Sequence, residues 1–353
     1  MIKHIKLFNF RRYKKFEIDT NSNFIIFKGK NAIGKTSILE AIYLTSTFKS
    51  HRTNNNLDLI KENEKYSKIQ IDADNKYEII LSETGKKGII DNVEMKKASE
   101  FIGNLRCVLF SPEDQEIING SKKEKRGFLD LEISLLNKRY LSTLKECRYF
   151  LSERNQILKK YKPKDENYLN IVTQELSKRE KMIALSRMKF INLINQKLNE
   201  VHQQIKKDEF LRIEYQSTLP DILDESSYHS NVDQDILYKM TLRGVQRDSY
   251  TVYLNEHDVS SYASEGQLKN IAISLKIALV KVIQEYSKEE VILLLDDVFS
   301  LLDKDRIDNL YNFLSTASQT FISCVDTIDL DNKIKGQALI IDLDKKENLY
   351  GEY

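Results

Sequence analysis

Residues 29–36 read G-K-N-A-I-G-K-T and match the phosphate-binding pattern G-x-x-x-x-G-K-[ST]. In that pattern the glycines let consecutive backbone N–H groups curl around a phosphate, Lys35 reaches the β- and γ-phosphates, and the Thr36 hydroxyl holds Mg²⁺. An apolar run at 24–27 predicts a short buried strand before the loop, and residues 37–42 predict the start of a helix whose positive end faces the phosphates. We therefore expect a nucleotide site. An ordinary glycine-bearing turn is the alternative.

A second candidate lies at residues 291–297, where the apolar run V-I-L-L-L ends in Asp296 and Asp297. Ligands of open α/β sheets bind at the carboxyl ends of strands, and P-loop proteins place a metal-binding carboxylate there. Asp296 would hold the metal, directly or through water, and Asp297 would orient or deprotonate the attacking water. A core strand followed by an acidic turn is the alternative. The phosphate-binding loop favours the functional interpretation, because the two motifs supply complementary halves of a metal–phosphate site.

A third motif, S-E-G-Q at residues 264–267, opens a predicted helix. Ser264 and Gly266 at a helix N-terminus would offer an anion a hydroxyl, exposed N–H groups and the helix dipole. A plain N-cap, which stabilises a helix by about 1 kcal/mol, is the alternative. The order of loop, S-x-G-Q and acidic strand is that of ABC-type ATPases, in which the serine motif of one subunit closes over the nucleotide held by another. This order favours a nucleotide role.

The bulk composition narrows the class of protein. The chain has 353 residues, a net charge of +2 and 31% charged residues, so any basic surface for nucleic acid must be local. The cysteines Cys107, Cys147 and Cys324 show neither metal-ligand spacing nor a disulfide framework, which fits a reducing cytoplasm. The sequence shows no secretory signal and no apolar stretch that approaches the length of a membrane span. We therefore expect a soluble, cytoplasmic protein.

Two helical runs divide the sequence. Residues 121–206 are dense in Leu, Lys, Glu and Arg, and Pro163 interrupts them. This pattern predicts an antiparallel helical hairpin with arms of up to roughly 50 Å and a break near Asn137. An ordinary helical subdomain packed on the core is the alternative.

The segments on both sides of these helices read as one α/β domain. Residues 1–110 contain mainly strands around one helix, and strands return from residue 210 onward. The apolar run at 291–295 is long enough for a central parallel strand. We predict a discontinuous head made of residues 1–120 and 207–353, with residues 121–206 inserted as a helical arm.

Further segments resemble the RecF family, bacterial recombination and repair ATPases related to the heads of SMC proteins. The resemblance covers essentially the whole chain, and several of its motifs are particular to RecF rather than to ABC-type ATPases at large. It implies an α/β, SMC-head-like P-loop ATPase domain of ABC type with the helical hairpin inserted. The segments that carry it are Asn9-Phe10-Arg11, residues 29–42, 49–53 and 108–114, Arg126, residues 128–134, Arg154-Asn155, Gly244, Arg247-Asp248, residues 263–267 and 293–297, Ser300 and residues 302–303.

The resemblance implies a role for each matching position. Lys35 and Thr36 resemble the Walker A pair, and Asp296 and Asp297 resemble the Walker B pair. On this basis Lys35 and Asp297 are the expected catalytic residues, and Thr36 and Asp296 the expected metal ligands. The serine motif resembles the ABC signature, and Asp303 resembles the D-loop aspartate at the subunit boundary. The expected contacts with ATP are Gly29, Lys30, Asn31, Ala32, Ile33, Gly34, Lys35, Thr36, Ser37, Ser264, Gly266, Gln267 and Asp303.

Some positions depart from the family pattern. Gln246 replaces the histidine of G-x-H-R-D, so a role for that imidazole is not carried over. Glu265 occupies a signature position that is often non-acidic, and we expect its side chain to point away from the γ-phosphate because like charges repel. Ser323 falls near the position where transporters carry a switch histidine. Glu113 and Asp114 lie near the Q-loop position, with the register left open.

The resemblance also implies the function. It predicts an ATP-gated dimeric clamp at gapped, double-stranded or junction DNA, with ATP and Mg²⁺ as cofactors and weak, DNA-stimulated hydrolysis. The clamp would help to load the recombinase together with RecO and RecR, in recombinational repair, replication restart and the SOS response. Another ABC-type ATPase or a nucleotide-controlled scaffold that does not act on DNA is the alternative. Candidate DNA contacts are Arg52, Lys122, Lys123, Lys125 and Arg126, although a solvated arginine and a solvated helix start would explain them equally well.

Overall fold

Two sheets belong to the compact unit formed by Met1–Asp114 and Ile283–Tyr353, and a third sheet belongs to the unit Gln115–Val282. The computed structural model describes residues 1–288, 290–297, 313–314, 316–327 and 336–345. In chain order the strands are β1 (His4–Phe10), β2 (Tyr13–Asp19), β3 (Phe24–Lys28), β4 (Tyr66–Asp72), β5 (Lys76–Ser82), β6 (Gly85–Ile90), β7 (Val93–Glu94), β8 (Cys107–Phe110), β9 (Leu211–Gln216), β10 (Ser249–Leu254), β11 (His257–Asp258), β12 (Ile292–Asp296), β13 (Gln319–Cys324) and β14 (Ala338–Asp342). The helices are α1 (Lys35–Thr47), α2 (Ala98–Phe101), α3 (Glu116–Asn119), α4 (Lys122–Leu136), α5 (Lys138–Lys159), α6 (Glu166–Ile205), α7 (Val232–Tyr238), α8 (Val259–Tyr262) and α9 (Glu265–Ser287).

The first sheet is antiparallel, with the strand order β2-β1-β4-β5-β6-β7. Buried and more exposed side chains alternate along it. In β1, Ile5 and Leu7 are buried, whereas Lys6 and Phe8 lie on the opposite face. The sheet therefore covers the core with one face and meets solvent with the other, as antiparallel sheets commonly do.

The second sheet is parallel, with the order β14-β3-β13-β12-β8. Strand β12 is buried along its whole length, which fits a parallel strand covered on both faces. The loop at 29–34 follows β3, and Asp296 ends β12 in register with Ser323 of β13. Because parallel strands end at the same edge of a sheet, the two candidate motifs meet there.

Helix α1 lies between these two sheets. Its residues Ile38 and Leu39 share one buried apolar cluster with Leu7 of the antiparallel sheet and with Phe27 and Leu294 of the parallel sheet. Because both sides are covered, α1 is buried on almost every face, unlike an amphipathic surface helix. The start of the helix is thereby held directly behind the phosphate-binding loop.

The unit Gln115–Val282 contains the predicted hairpin. Arg179 of α6 donates to Glu146 of α5 at 2.9 Å, and Arg154 of α5 donates to Thr173 of α6 at 3.0 Å, so the two helices run antiparallel. The predicted break is also observed, since Asn137 separates α4 from α5 and its side chain caps the start of α5. Helix α6 has 40 residues and is about 60 Å long, longer than the predicted arm.

The compact units differ from the predicted domain boundaries. Residues 207–282, which the sequence assigned to the head, group with the helices. Buried arginines explain this grouping: Arg187 of α6 donates to the carbonyl of Val245 at 2.7 Å. Arg154, which is fully buried, forms an ion pair with Asp235 at 2.7 Å. Contacts of this kind join residues distant in sequence, and no local pattern announces them.

Within the described ranges of the chain, no helix combines the length and the apolar character that crossing a membrane would require.

Candidate nucleotide-binding site

The loop at 29–34 has the backbone form of an anion-binding turn. Ala32 has a φ of 64° and Gly34 a φ of 108°, so left-handed residues recur within the loop and turn its N–H groups inward. A Cβ atom on Gly34 would lie 2.5 Å from the hydroxyl oxygen of Tyr13 and 3.0 Å from Cδ of Arg12. Glycine is therefore required at position 34 by both the backbone angle and the close approach of the β1–β2 turn.

Lys35 folds back onto this loop. Its ammonium group donates to the carbonyl of Gly29 at 2.6 Å and to that of Lys30 at 3.0 Å, and the side chain is buried. The lysine is thus held at the position from which a Walker A lysine reaches phosphate oxygens. A bound phosphate would replace these two carbonyls as its partner.

The two halves of the predicted metal site are in contact. The hydroxyl of Thr36 donates to Oδ1 of Asp296 at 3.0 Å. Ser323 donates to the same oxygen at 2.6 Å, and its hydroxyl accepts a hydrogen bond from the backbone N–H of Asp297 at 3.0 Å. Burial raises the pKa of the Asp296 carboxyl, the bonds from Ser323 and Thr36 lower it, and the charges of Asp297 and Glu113 raise it further.

The donor set at this point suits Mg²⁺. Thr36 and Asp296 offer one hydroxyl and one carboxylate oxygen close together, and Mg²⁺ prefers such hard oxygen ligands, with the remaining positions filled by water and phosphate. A buried carboxylate whose charged form is disfavoured by burial also gains most from a nearby cation. These residues fit the ion that the sequence predicts.

Two arginines at the tip of the β1–β2 hairpin approach the loop. The turn between β1 and β2 consists of Arg11 and Arg12, and both side chains line the same cavity as Lys35 and Thr36. Phosphates carry several negative charges, and planar guanidinium groups bind them with parallel hydrogen bonds. The hairpin therefore adds cations to the site that the loop pattern alone does not include.

Glu40 is the carboxylate partner of Arg11 and Arg52 beside the loop. It lies one turn after Thr36 on α1 and is fully buried. Arg11 donates to both of its carboxylate oxygens, at 2.8 and 2.7 Å, and Ser50 donates to it at 2.5 Å. Arg52 approaches the same carboxylate, with Nη1 3.7 Å from Oε2. One buried carboxylate thus contacts both Arg11 and Arg52.

The cavity has a volume of about 630 Å³. It brings together many of the residues that the sequence predicted, and it adds Arg11, Arg12, Asp58, Ile60 and Glu62. Gly29 and Lys30 lie behind it, where they bind the Lys35 ammonium, and Ile33 packs against the core. The predicted residues that line the cavity are Asn31, Ala32, Gly34, Lys35, Thr36, Ser37, Arg52 and Asp297.

The serine motif belongs to the other compact unit and starts α9. Ser264 and Gln267 form a reciprocal cap: the Ser264 N–H donates to Oε1 of Gln267 at 3.0 Å, and the Gln267 N–H donates to Oγ of Ser264 at 3.2 Å. Ser264 and Gly266 are both exposed. The plain N-cap and the anion site are therefore compatible, since the cap leaves other N–H groups of the first turn exposed.

Gly266 has no local reason to be glycine. Its φ is not positive, and a Cβ atom placed on it would meet nothing within 4 Å. A glycine in a helix is roughly 0.5–1 kcal/mol less favourable than alanine. The fold of this chain therefore does not account for the residue.

Glu265 directs its charge along its own helix. Its carboxylate lies 2.7 Å from Nζ of Lys269, and the hydrogen bond from Lys269 lowers the pKa of the carboxyl. The carboxylate thus has a cation partner within α9, and its orientation relative to a γ-phosphate stays a prediction.

The predicted DNA contacts differ in their surroundings. Lys122 and Lys123 are exposed at the start of α4. Lys125 is buried and donates to the carbonyl of Tyr250 at 3.3 Å, and burial lowers its pKa. Arg126 is half-buried and donates to the carbonyl of Asp248 at 2.8 Å. This geometry favours Lys122 and Lys123 over Lys125 and Arg126 as direct contacts with DNA.

Asp303, a predicted contact with ATP, lies outside the described residues.

The architecture and the site agree with known proteins. The family described as AAA ATPase domain matches residues 1–349. The DNA replication and repair protein RecF of Acholeplasma laidlawii is 37% identical over 92% of this chain and 93% of its own length. That of Clostridium acetobutylicum is 35% identical over 97% of this chain and 98% of its own length. The chain belongs to the RecF family.

Solved structures support the same assignment. The recombination mediator protein RecF with ATP, in the RecFOR pathway, matches with a TM-score of 0.87 and 29% identity over 94% of this chain and 93% of that chain. An Smc head domain from Pyrococcus furiosus matches with a TM-score of 0.54 and 16% identity over 97% of this chain and 93% of that chain, which shows a shared fold. The predicted α/β fold of ABC type is therefore confirmed, as is the predicted RecF-family DNA replication and repair ATPase.

Some residues of this RecF-family site were not identified from sequence. Arg12 and Tyr13 follow the Asn9-Phe10-Arg11 segment, but only the hairpin brings them to Gly34. Ser323 was noted only as lying near the position where transporters carry a switch histidine, whereas the structure shows it bonded to both Asp296 and Asp297. Glu113 stood near the Q-loop position, and its charge now acts on Asp296. A polar residue directly after the apolar pair Phe321-Ile322, as at Ser323, is the signal that was available.

Proposed function

We propose that this RecF-family ATPase acts as an ATP-gated dimeric clamp on DNA that is gapped, double-stranded or branched at a junction, and that it works with RecO and RecR in recombinational repair. One observation carries the proposal: Gly266, in an exposed S-x-G-Q motif, is a glycine that the fold does not require. A missing Cβ is explained if another molecule approaches the backbone closely. In the proposed dimer that molecule is ATP held on the loop of a second copy.

Each subunit would supply part of the chemistry. Lys35 would exchange its bonds to loop carbonyls for the β- and γ-phosphates, and Thr36 and Asp296 would hold Mg²⁺. The metal ion would neutralise charge on the phosphate oxygens as the γ-phosphate leaves. Asp297 would orient the attacking water or accept its proton. Glu40 would keep Arg11 fixed in the cavity wall, with its guanidinium bonded to Glu40 and to the Asp58 carbonyl, and would leave Arg52 partly exposed beside the loop.

The second copy would close the site. Ser264 and the exposed N–H groups of α9 would bind the γ-phosphate, with the helix dipole adding to the attraction. Because the γ-phosphate would then be part of the interface, hydrolysis would loosen the dimer. Slow hydrolysis that DNA stimulates suits such a switch, since it limits the lifetime of the closed state.

DNA would bind through lysines and arginines that contact phosphates. This mode gives an affinity that falls with salt and depends little on sequence. Lys122, Lys123 and Arg52 are the candidates whose side chains are sufficiently exposed. The non-DNA ABC-type ATPase and the scaffold with a vestigial site are disfavoured, because the relatives are DNA replication and repair proteins and the residues of a working site are in contact.

Sedimentation with ATP, ADP and gapped DNA tests the proposal. The wild type is compared with Asp297→Asn, which leaves the loop intact, and with Ser264→Arg, which places a bulky group in the cap. We expect the wild type to dimerise with ATP and not with ADP, and to retain DNA longer when ATP is bound. Asp297→Asn should prolong the ATP-bound dimer, whereas Ser264→Arg should bind ATP as a monomer.

Contrary outcomes separate the alternatives. A Ser264→Arg protein that dimerises with ATP as the wild type does would end the idea of capping by a second copy. DNA retention that is equal with ATP, with ADP and without nucleotide would favour the scaffold. Dimerisation with ATP but no retention of DNA would favour an ABC-type ATPase that acts elsewhere.

A further inference from the structure

A second cavity, of about 450 Å³, lies within the unit Gln115–Val282. It is bounded by the start of α4, by the end of β9 with the residues that follow it, and by β10. Three cationic side chains line it: Lys122, Lys125 and Arg247. No carboxylate is among the lining residues that the structure describes. The walls of this cavity, which we call the basic cavity, are therefore positive in a chain whose total charge is close to zero.

The cations lie at two depths. Lys122 and Arg247 are exposed, and neither forms an ion pair with a carboxylate of the described residues. Lys125 is only 8% exposed and lies beneath them, with its ammonium 3.3 Å from the Tyr250 carbonyl and 5.6 Å from the centre of the Tyr250 ring. Burial lowers the pKa of Lys125, the charge of Asp258 opposes that shift, and an anion in the cavity would favour the charged form as well.

Strand β10 contributes hydroxyl groups to the same cavity. Ser249, Thr251 and Tyr253 are alternate residues of the strand and therefore point to one face. None of these three hydroxyls donates or accepts a hydrogen bond within the part of the chain that the structure describes. Two acids are cross-strand partners of these residues: Glu214, opposite Thr251, is engaged by Arg212 at 3.0 Å, and Asp258, opposite Tyr253, accepts from the N–H and the hydroxyl of Ser260 at 2.8 and 2.7 Å. Neither of them lines the basic cavity.

Arg247 is held at the cavity by its neighbour. Asp248 is fully buried and accepts hydrogen bonds from the Thr218 N–H at 2.8 Å and the Thr218 hydroxyl at 3.0 Å, and it also accepts from Tyr215. The backbone at 247–249 is thereby fixed beside the end of β9. An arginine on a fixed backbone loses less conformational freedom when it binds than one on a loose loop.

We propose that the basic cavity binds the phosphodiester backbone of DNA, with Lys122 and Arg247 contacting phosphate oxygens and the β10 hydroxyls donating to them. Lys125 lies deeper in the cavity and raises the local positive potential without contacting the DNA. The assignment rests on the proposed function as a DNA clamp and adds to it a specific surface on the helical unit. The basic cavity takes the place of the sequence cluster at 122–126 as the proposed DNA site, and three segments that are distant in the chain form it.

The test compares Lys122→Gln/Arg247→Gln with a matched control, Lys138→Gln/Arg243→Gln, in the full chain. Lys138 is also the first residue of a helix, Arg243 is exposed, and neither lines the basic cavity. Binding of a fluorescent gapped duplex is measured with ATP from low to high salt, beside ATP-driven dimerisation. We expect the cavity variant to lose about tenfold or more in affinity at low salt, and the slope of log Kd against log salt to fall by roughly two. The control should keep the wild-type slope, and both variants should dimerise as the wild type does.

Other outcomes count against the proposal in different ways. If the wild type binds DNA and the cavity variant shows the same affinity and slope as the control, the basic cavity is not a DNA site, although the clamp stands. If weaker DNA binding accompanies lost dimerisation, the substitution acts on assembly and the cavity assignment fails. If the wild type binds no DNA under any condition, the proposed function fails and the cavity assignment with it.

Discussion

The hydroxyl of Thr36 donates to the carboxylate of Asp296 across 3.0 Å, although 260 positions separate the two residues in the chain. This bond joins the end of the phosphate-binding loop to the end of β12. It places the two sequence motifs in direct contact, as the proposed metal site requires.

We expect Ser323→Ala to reduce ATP hydrolysis more than ATP binding. The substitution removes a donor to Asp296 and the acceptor for the Asp297 N–H, so both Walker B residues lose their orientation. A hydrogen bond to a charged group contributes about 1.5–3 kcal/mol, which corresponds to a loss of roughly ten- to a hundredfold in rate. Turnover and ATP affinity are measured in parallel. Ser318→Ala is the control, because that hydroxyl binds the carbonyl of Val291 at 3.1 Å, away from the site. Equal losses in binding and turnover would contradict the assigned role.

Gly266→Ala should stabilise the isolated chain and weaken its ATP-driven association. The added Cβ meets nothing within 4 Å, so the expected gain is about 0.5–1 kcal/mol in the free energy of unfolding. Gly127→Ala is a matched control, since Gly127 is also an exposed helical glycine whose Cβ would have open space. Both variants are compared by urea unfolding and by sedimentation with ATP. Only Gly266→Ala should lose association, and an unimpaired Gly266→Ala dimer would remove the main support for the clamp.

Glu40→Gln should destabilise the chain by about 3 kcal/mol, because Arg11 would keep a partly buried charge without its bidentate partner. Glu40→Gln/Arg11→Gln should recover part of this loss, since neither charge then remains. The control is Glu17→Gln, which breaks a solvent-exposed pair with Lys6 and should change stability by about 1 kcal/mol or less. Urea unfolding of the wild type, Glu40→Gln, Arg11→Gln and the double variant gives the coupling energy, with Glu17→Gln measured beside them. Additive effects of the two buried substitutions would show that Glu40 does not hold Arg11.

Asp296→Asn should lose the magnesium dependence of ATP binding without a loss of stability at neutral pH. Burial raises the pKa of Asp296, so the folded chain binds this proton more tightly than the unfolded chain does. The stabilisation from this proton is present at acid pH and is lost as pH rises from near 3.8 through the raised pKa. The ionised carboxylate therefore disfavours the fold at pH 7 when no metal is bound. We expect thermal unfolding to show the variant at or above the wild type at pH 7, with the difference shrinking toward pH 4. A variant that melts well below the wild type at pH 7 would contradict this account.

The sequence predicted the parts of this molecule that local patterns encode. The loop at 29–36, the apolar run before Asp296 and the helix after Ser264 were each visible as a short motif with a physical purpose. The helical hairpin followed from Pro163 and from the runs rich in Leu, Lys, Glu and Arg on both sides of it. These features depend on residues that are close together in the chain.

What the sequence did not predict depends on pairs that are distant in the chain. Two examples are the bidentate bond between Arg11 and Glu40 and the ion pair between Arg187 and Asp130. Both follow from packing, and no local sequence pattern identifies the partner of either residue. Residues 207–282 were assigned to the head because their strands read like the others. From the sequence, Lys125 was interpreted as one lysine of a basic surface cluster. In the structure it lies on α4 and its ammonium donates to the carbonyl of Tyr250.

The Lys35 ammonium donates to the carbonyls of Gly29 and Lys30, so the loop itself offers partners to the group that would bind phosphate. ATP gains the lysine only by displacing partners that are already satisfied, so the net affinity is smaller than the new contacts alone would give. Under the proposed function, the fraction of chains able to pair would depend on the ATP concentration through this reduced net affinity.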